Sequence, residues 1–331
     1  MNEIAVVTGG AGFIGHHLVK FLSQSCKIVA LDNFSRGEAS RLKNSPKNVI
    51  LKDCDITNYD KITEVLQEYN VTKVYHLAAI NGTENFYKIP IQIMDVGIIG
   101  CMNMLKYMAE NSVKIGIFAS SAEVYQDCNQ VPTPENVSLI IPNAENPRYS
   151  YGLSKIFTEY YSYHFGKKYD MDISVFRPHN VYGPNMGLKH VIPEFIMEFL
   201  KEQSQSACAK IHVKGNLKAV RAFCYVDDIV KGIKLIADKN KGVNVYNLGN
   251  SQTISMKELL QNISLLLERS FEIAENKDTH LGSTLLRCPD IKKAQALGFK
   301  PTIGLPVGLQ RTVDWYVSNH ASLTSGKALN Y

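Results

Sequence analysis

The chain has 331 residues, of which 45% are hydrophobic and 20% are charged, and its formal net charge is +5. These values are typical of a globular protein that forms one large or two smaller domains around a sizeable core. The positive charge is mild and dispersed, and Asp95 and Lys106 interrupt the best candidate for a membrane span, residues 89–108, so neither nucleic acid nor a membrane is expected as a partner.

The first twenty residues combine a predicted strand, a glycine-rich turn and a predicted helix. The apolar run Ile4–Val7 is typical of a buried strand, and apolar residues up to Leu22 recur at helical spacing. The glycines between them allow a tight turn, the approach of a pyrophosphate and close packing of the helix on the strand. Unpaired N–H groups at a helix start also suit phosphate. We therefore predict a dinucleotide site with contacts from Gly9, Gly12, Phe13 and Ile14, and with Gly15 in the packing position.

The second predicted strand, Lys27–Leu31, ends at Asp32, twenty residues after Gly12. A carboxylate at this distance can accept hydrogen bonds from the adenosine ribose and repels a 2′-phosphate, so Asp32 and its neighbour Asn33 favour NAD over NADP. Two alternatives to this interpretation stay open. In the first, Asp32 only stabilises the turn at the strand end and does not contact the cofactor. In the second, Arg36 binds a 2′-phosphate, which would favour NADP.

Strands and helices alternate along the next part of the chain. Predicted strands at 49–51, 71–77 and 114–119 are separated by predicted helices at 61–68 and 91–110. This order predicts an α/β fold with a Rossmann-type doubly wound parallel sheet, which binds ligands at the carboxyl ends of its strands. Further cofactor contacts are predicted at these ends: Asp55, Ile56, Leu77, Ala78 and Ala79. His76 is interpreted as a structural neighbour of the cofactor.

Four residues with acid–base chemistry follow the strand at 114–119. Ser121 and Glu123 lie at the strand end, and Tyr151 and Lys155 are four residues apart, so both face one side of a helix. A nearby ammonium stabilises a phenolate, so we expect Lys155 to lower the Tyr151 pKa from about 10 toward neutrality and to make the phenol a general base. Such pairs also arise by chance on exposed helices, but the glycine turn and Ser121 favour the functional interpretation.

The seven cysteines form neither a CxxC pair nor a zinc spacing, so no metal site is expected. A signal peptide has a basic segment followed by an apolar core, and the N-terminus does not show this pattern. Scattered thiols in such a chain are typical of a cytoplasmic protein.

Together these motifs resemble the extended short-chain dehydrogenase/reductase family, in particular its NAD-dependent nucleotide-sugar epimerase/dehydratase branch. The resemblance runs from Met1 to about Ser318. The turn from Thr8 to Gly15 is similar to the cofactor loop of the family, and Ser121, Tyr151 and Lys155 match its catalytic residues. Later segments carry the resemblance further: RPHNVYGP at 177–184, RAFCYVDD at 221–228, YNLG at 246–249 and RCPD at 287–290.

The resemblance implies an enzyme that binds NAD and a nucleotide-linked sugar, with the base open between UDP, GDP, dTDP and CDP. Ser121 and Tyr151 would hold a sugar hydroxyl, Tyr151 would remove its proton as C4 is oxidised, and both Tyr151 and Lys155 would contact the cofactor. The implied substrate contacts are Asn81, Ser121, His179, Asn180, Arg221 and Arg287, with the two arginines on the diphosphate. A homodimer through helices near 91–110 and 151–169 is implied as well.

The resemblance leaves the final reaction open. A 4-epimerase is the leading hypothesis, and a 4,6-dehydratase or decarboxylase is the alternative, because Glu123 matches a base at C5 in dehydratases. Against the alternative, Ala122 stands where many dehydratases have Asp, and Glu123 is equally interpreted as a strand-end carboxylate bonded to a loop. An NADPH-dependent carbonyl reductase is disfavoured by Asp32 and the two arginines, and a non-catalytic NAD-binding protein by the intact catalytic residues.

Further residues depart from the family pattern, among them the stretch 81–86, which is expected to border the sugar pocket. Gln126 stands in place of the usual Gly, and Gly97 in place of the usual Asn. His179 is also unusual, and is interpreted either as a second acid–base group beside the sugar or as a packed histidine.

By resemblance, residues 1–176 with 222–248 form the NAD domain, and 177–221 with 249–318 form a smaller, discontinuous α/β substrate domain. Residues 319–331 are predicted to be a polar tail. The remaining predicted elements are a loop at 126–148, helices at 191–202, 256–268 and 305–317, and a strand at 210–213.

Overall fold

The computed structural model describes residues 3–126, 128–201, 208–213, 215–274 and 285–324. The strands in these segments are β1 (Ile4–Thr8), β2 (Lys27–Asp32), β3 (Val49–Asp53), β4 (Lys73–His76), β5 (Ile115–Ala119), β6 (Asp172–Pro178), β7 (Val181–Tyr182), β8 (Cys208–His212), β9 (Val220–Ala222), β10 (Cys224–Tyr225), β11 (Val243–Leu248), β12 (Thr253–Ser255), β13 (Ser270–Ala274) and β14 (Leu286–Arg287). The helices are α1 (Phe13–Leu22), α2 (Tyr59–Leu66), α3 (Thr83–Lys88), α4 (Pro90–Glu110), α5 (Tyr149–Lys168), α6 (Val191–Lys201), α7 (Val226–Lys239), α8 (Met256–Leu266), α9 (Lys292–Ala296) and α10 (Leu305–Thr324), with short 3-10 helices at Ala39–Leu42 and Ala122–Tyr125.

A parallel sheet forms the centre of the larger part of the molecule. Within the described residues its strand order is β11-β6-β5-β4-β1-β2-β3, and each pair is parallel. Its central strands are apolar on both faces because helices cover both faces. The strand order reverses beside β1, where Thr8 pairs with His76 of β4 and Leu31 of β2. Such a reversal opens a crevice at the carboxyl ends of the strands. The fold class predicted from the sequence is confirmed.

The layers on the two faces contain separate hydrophobic clusters. On one face α1 packs beside α7, with Leu18 and Ile233 in the same buried cluster. On the other face α4 packs along α5, and Met104 of α4 belongs to a second buried cluster. The last strand of the sheet, β11, follows α7, so the chain returns to the sheet after leaving it at β6.

Smaller sheets and the C-terminal helices form the rest of the molecule. β9 lies between β12 and β14, β7 pairs with β10, and β8 pairs with β13. The helices α6, α8 and α10 pack against one another through buried apolar side chains such as Phe199, Leu259 and Leu309. The chain thus carries β14 and the loops near β7 to the carboxyl edge of the main sheet.

The structure corrects the predicted elements at several places. The predicted tail begins inside α10, which continues to Thr324 because its inward positions remain apolar as far as Leu323, which is buried. Residues 325–331 of that tail, and Glu202 of the predicted helix 191–202, lie outside the described residues. Neither α3 nor β13 was predicted, since both are short and their apolar residues follow no clear period. No helix in the described part of the chain has the length and hydropathy needed to span a membrane.

Candidate active site

The glycine-rich turn after β1 is held by packing that excludes side chains. Gly9 has a φ of +66°, and its carbonyl accepts a hydrogen bond of 3.0 Å from the N–H of Gly12. A Cβ on Gly15 would lie 1.9 Å from the same carbonyl oxygen, so only glycine allows α1 to sit this close to the turn. No side chain caps the first turn of α1, so its N–H groups point into the turn, as a pyrophosphate site requires.

The carboxylate of Asp32 is fixed at the edge of this turn. Asp32 is 8% exposed, and its two oxygens accept hydrogen bonds of 2.9 Å from the N–H groups of Ala11 and Phe34. Burial raises the pKa of this carboxyl. The side chain of Arg36 reaches toward Gly82, with one terminal nitrogen 3.8 Å from where a Gly82 Cβ would lie.

Arg41 ties the glycine turn to the loop after β7, a role that the sequence analysis missed. One terminal nitrogen donates to the carbonyl of Ala11 at 3.0 Å and the other donates to the carbonyl of Asn185 at 3.0 Å. The Nε atom donates to the side chain of Asn185 at 3.2 Å. No local pattern marks this arginine, because its partners are thirty and 144 residues away.

One cleft of about 460 Å³ runs along the carboxyl edge of the sheet, within the size range of small-molecule sites. It brings together all the residues that the sequence assigned to the cofactor: Gly9, Gly12, Phe13, Ile14, Asp32, Asn33, Asp55, Ile56, Leu77, Ala78, Ala79, Tyr151 and Lys155. The glycine turn, the uncapped helix start and the buried Asp32 together fit a dinucleotide.

The other end of the cleft holds Ser121, Tyr151 and Lys155. The hydroxyl of Ser121 is hydrogen-bonded to the phenol of Tyr151, and the ring of Tyr151 stacks on Phe86 of α3 with centroids 5.4 Å apart. The ammonium of Lys155 donates to the carbonyl of Ala119 at 2.9 Å and lies 5.6 Å from the centroid of the Tyr151 ring. The hydroxyl and the phenol are therefore positioned to act on one proton.

Lys155 does not lower the pKa of Tyr151 in this structure. Burial raises the pKa of Tyr151 to about 12, while the hydrogen bond from Ser121 and the charge of Arg36 oppose this rise. Burial also lowers the pKa of Lys155 to about 8. Helix spacing puts both side chains on one face, but the Lys155 ammonium is bonded to a backbone carbonyl on β5 and not to the phenol, so Lys155 does not contribute the part of the pKa shift that was predicted for it.

Glu123 and Arg287 form an ion pair inside the cleft. An Arg287 terminal nitrogen lies 2.6 Å from Glu123 Oε1, and both side chains are largely buried. Burial alone would raise the pKa of Glu123, but the charge and hydrogen bond of Arg287 hold it below its usual range. The sequence assigned these residues separately, one to acid–base chemistry and the other to the diphosphate. Their 164-residue separation hid the pairing.

The remaining substrate candidates are divided between the cleft and the interior. Asn81 and Asn180 line the cleft. His179 does not belong to the described lining: it is fully buried, its Nε2 atom lies 3.0 Å from Asn247 Oδ1, and burial lowers its pKa to about 3. This corrects its assignment to the sugar and agrees with the packed-histidine interpretation. Arg221 is likewise not among the described lining residues, and it donates to the carbonyl of Val220 at 2.9 Å.

Two other departures from the family pattern have visible structural consequences. Gln126 has a φ of +46°, which explains why glycine is usual there, and its side-chain amide donates to the carbonyl of Glu123 at 2.6 Å. At Gly97, a Cβ would lie 2.7 Å from the Cβ of Ser154, so the missing side chain lets α4 approach α5 closely.

Comparison with known proteins agrees with this geometry. The model of the NAD-dependent epimerase/dehydratase family matches residues 5–249. A putative UDP-glucose 4-epimerase of Methanocaldococcus jannaschii is 32% identical over 95% of this chain and 99% of its own length. UDP-glucuronic acid decarboxylase 1 of Xenopus tropicalis is 30% identical over 94% of this chain and 71% of its own length. The crystal structure of UDP-glucose 4-epimerase from Thermotoga maritima with UDP-glucose superposes with a TM-score of 0.86 at 27% identity, covering 96% of this chain and 99% of that one.

Proposed function

Because this chain belongs to the NAD-dependent epimerase/dehydratase family, we propose that it is a nucleotide-sugar 4-epimerase. The observation that carries the proposal is the ion pair between Glu123 and Arg287. A 4-epimerase needs one group that removes and returns a proton at the C4 hydroxyl, and Tyr151 supplies it. It needs no base at C5, and Glu123 is poorly suited to be one, because a carboxylate with a lowered pKa is a weak base.

In this mechanism the glycine turn, the start of α1 and Asp32 would hold NAD, which would supply a reversible hydride acceptor for C4 of the sugar. The residues of the chain hold and move the proton. Tyr151 acts as the phenolate when it takes the proton of the C4 hydroxyl, and Ser121 stabilises that form by donating a hydrogen bond, which opposes the rise of the Tyr151 pKa on burial. Lys155 lies on the same helix face with its ammonium bonded to the Ala119 carbonyl, and the stacked ring of Phe86 fixes the plane of Tyr151.

A second candidate is a decarboxylase or dehydratase that uses the same oxidation. One observation favours it: Glu123 lies in the cleft two residues after Ser121, with its backbone N–H donating to the Ser121 hydroxyl at 3.1 Å. A C4 ketone acidifies the proton at C5, and it also makes a C6 carboxylate a β-keto acid, which can lose carbon dioxide. In these reactions the carboxylate of Glu123 would act beside C5.

The test is mass spectrometry of a panel of nucleotide sugars incubated in heavy water with the NAD-loaded protein. For a 4-epimerase we expect a new isomer of unchanged mass. We also expect Glu123→Gln to keep most of the activity, because glutamine can still accept a hydrogen bond from Arg287. Glu145→Gln, at an exposed loop position, is the matched control. Loss of water or carbon dioxide, with a loss of activity of about a hundredfold in Glu123→Gln, would support the second candidate instead.

We also propose a homodimer formed through α4 and α5. The outward sides of these two adjacent helices expose large apolar side chains, which is typical of an interface: Ile91, Ile99, Met102, Leu153, Tyr160 and Tyr163. In sedimentation we expect twice the chain mass of 37.0 kDa. Charges at this surface, Met102→Glu with Tyr160→Glu, should give monomers, whereas Leu265→Glu on exposed α8 should not. A wild-type monomer would contradict the proposal.

A further inference from the structure

Three arginines surround the single carboxylate of Glu123. Arg287 is bonded to it, and Arg148 and Arg221 are close enough for their charges to lower its pKa. Burial, and to a lesser extent the charges of Arg287 and Arg148, lower the pKa of Arg221 to about 10. The arginines therefore also act on one another. The guanidinium groups of Arg148, Arg221 and Arg287 thus lie close to one another around Glu123, and such a cluster is suited to an anionic ligand.

The position of Arg148 and Arg287 indicates which part of a substrate would meet this charge. Both line the cleft, together with Ser121, Glu123 and Tyr151. The backbone N–H of Glu123 donates to the Ser121 hydroxyl, which is bonded to Tyr151, and the Glu123 carboxylate is paired with Arg287, so this part of the cleft is the proton-transfer end. In a pyranose the diphosphate is attached at C1, across the ring from C4, whereas the C6 substituent is on C5, the neighbour of C4. Of the two neighbours of C4, C3 carries an uncharged hydroxyl in an ordinary hexose and C5 carries C6, so we assign an anion beside Glu123 to a group at C6.

Arg148 is the residue best placed to bind such a group. It is the N-cap residue of α5, three positions before Tyr151, and its backbone N–H is bonded to the side chain of Asn146 at 3.0 Å. Its Nε atom is buried and has no hydrogen-bond partner among the residues that the structure describes. A buried guanidinium N–H without an acceptor is costly, and the planar guanidinium matches the two oxygens of a carboxylate.

From this arrangement we propose that Arg148, together with Arg287, binds a carboxylate at C6, so that the substrate is a nucleotide-linked uronic acid. The inference rests on the proposed function, since it assumes that C4 of a nucleotide sugar is placed at Tyr151. Glu123 then has a positioning role: it orients Arg287 while Arg148 and Arg287 receive the substrate carboxylate. Arg148 distinguishes an acidic sugar from a neutral one, and it makes no contact with the diphosphate.

The experiment compares UDP-glucuronate, UDP-glucose and free UDP as ligands of the NAD-loaded protein, by calorimetry and, where turnover occurs, by kcat and KM. We expect the wild-type protein to bind UDP-glucuronate more tightly than UDP-glucose. Arg148→Met should weaken UDP-glucuronate binding roughly 10- to 100-fold, as expected for loss of a charge-assisted hydrogen bond, and should leave UDP-glucose and UDP unchanged. Arg148→Lys should recover part of the loss. Arg311→Met, an exposed arginine on α10 outside the described lining of the cleft, is the control.

Two outcomes would overturn the inference. Wild-type protein that does not prefer UDP-glucuronate has no site for the acid, and an equal loss for all three ligands in Arg148→Met would mean that Arg148 binds the diphosphate. A different result would show that the proposed 4-epimerase function is wrong while the carboxylate site is right. In that case the protein would bind UDP-glucuronate preferentially, Arg148→Met would weaken this binding, and no 4-epimer would form.

Discussion

Replacing Tyr151 by Phe is expected to lower turnover about 10²- to 10⁴-fold, the usual contribution of a general acid–base group, while the protein remains folded. The substitution removes the hydroxyl that is bonded to Ser121 and keeps the ring that stacks on Phe86. Because the side chain is only 7% exposed and phenylalanine fills nearly the same space, little packing is lost. Turnover is measured on whichever nucleotide sugar the heavy-water panel identifies, and folding by circular dichroism.

Tyr169→Phe is the matched control for this experiment. It makes the same chemical change at the C-cap of the same helix, at a side chain that is 39% exposed and outside the described lining of the cleft. We expect Tyr169→Phe to keep wild-type turnover. If Tyr151→Phe retained a tenth or more of the wild-type rate, another group would have to remove the C4 proton, and the acid–base assignment would have to be abandoned.

Replacing Arg177 by Met is expected to destabilise the fold by about 3–5 kcal/mol, the usual cost of removing one partner of a buried ion pair. Arg177 Nε lies 2.7 Å and one terminal nitrogen 2.5 Å from the two carboxylate oxygens of Glu159, and both side chains are 5% exposed or less. The other terminal nitrogen donates to the Tyr125 hydroxyl at 2.6 Å and to the Glu135 carbonyl at 3.1 Å. Removing the guanidinium leaves the Glu159 charge buried, with Ser120, at 2.5 Å, as the side-chain donor that remains among the described residues.

Urea denaturation of wild type and variants gives the free energy of unfolding for this comparison. Lys241→Met is the matched control: it breaks the pair with Asp172 at 3.1 Å, but Lys241 is 85% exposed, so we expect a change below about 1 kcal/mol. Replacing both partners, with Glu159→Leu added to Arg177→Met, should recover part of the loss because no charge is then left buried. A change below about 1 kcal/mol in Arg177→Met would show that this network does not hold β6 to α5.

Arg177 illustrates a residue whose motif was visible in the sequence and whose role was not. The segment 177–184 was assigned to the entry into the substrate domain. In the structure Arg177 instead joins β6, α5 and the loop after β5 through side chains that are 18 and 52 residues away. His179, two residues further on, was assigned to the sugar but is buried against Asn247. A strand places alternate residues on opposite faces. The local sequence does not show which of these residues become buried when β11 pairs with β6.

The dinucleotide turn, the alternation of strands and helices, and the placement of Tyr151 and Lys155 on one helix face could all be predicted from the order of the residues. Each depends on backbone conformation or on spacing over a few residues, and such short-range patterns are visible directly in the sequence. Which polar groups meet became visible in the folded molecule: Arg287 with Glu123, Arg177 with Glu159, and Lys155 with the carbonyl of Ala119. These contacts join distant parts of the chain, and burial then sets the energies and pKa values of the groups, so no local pattern could specify them.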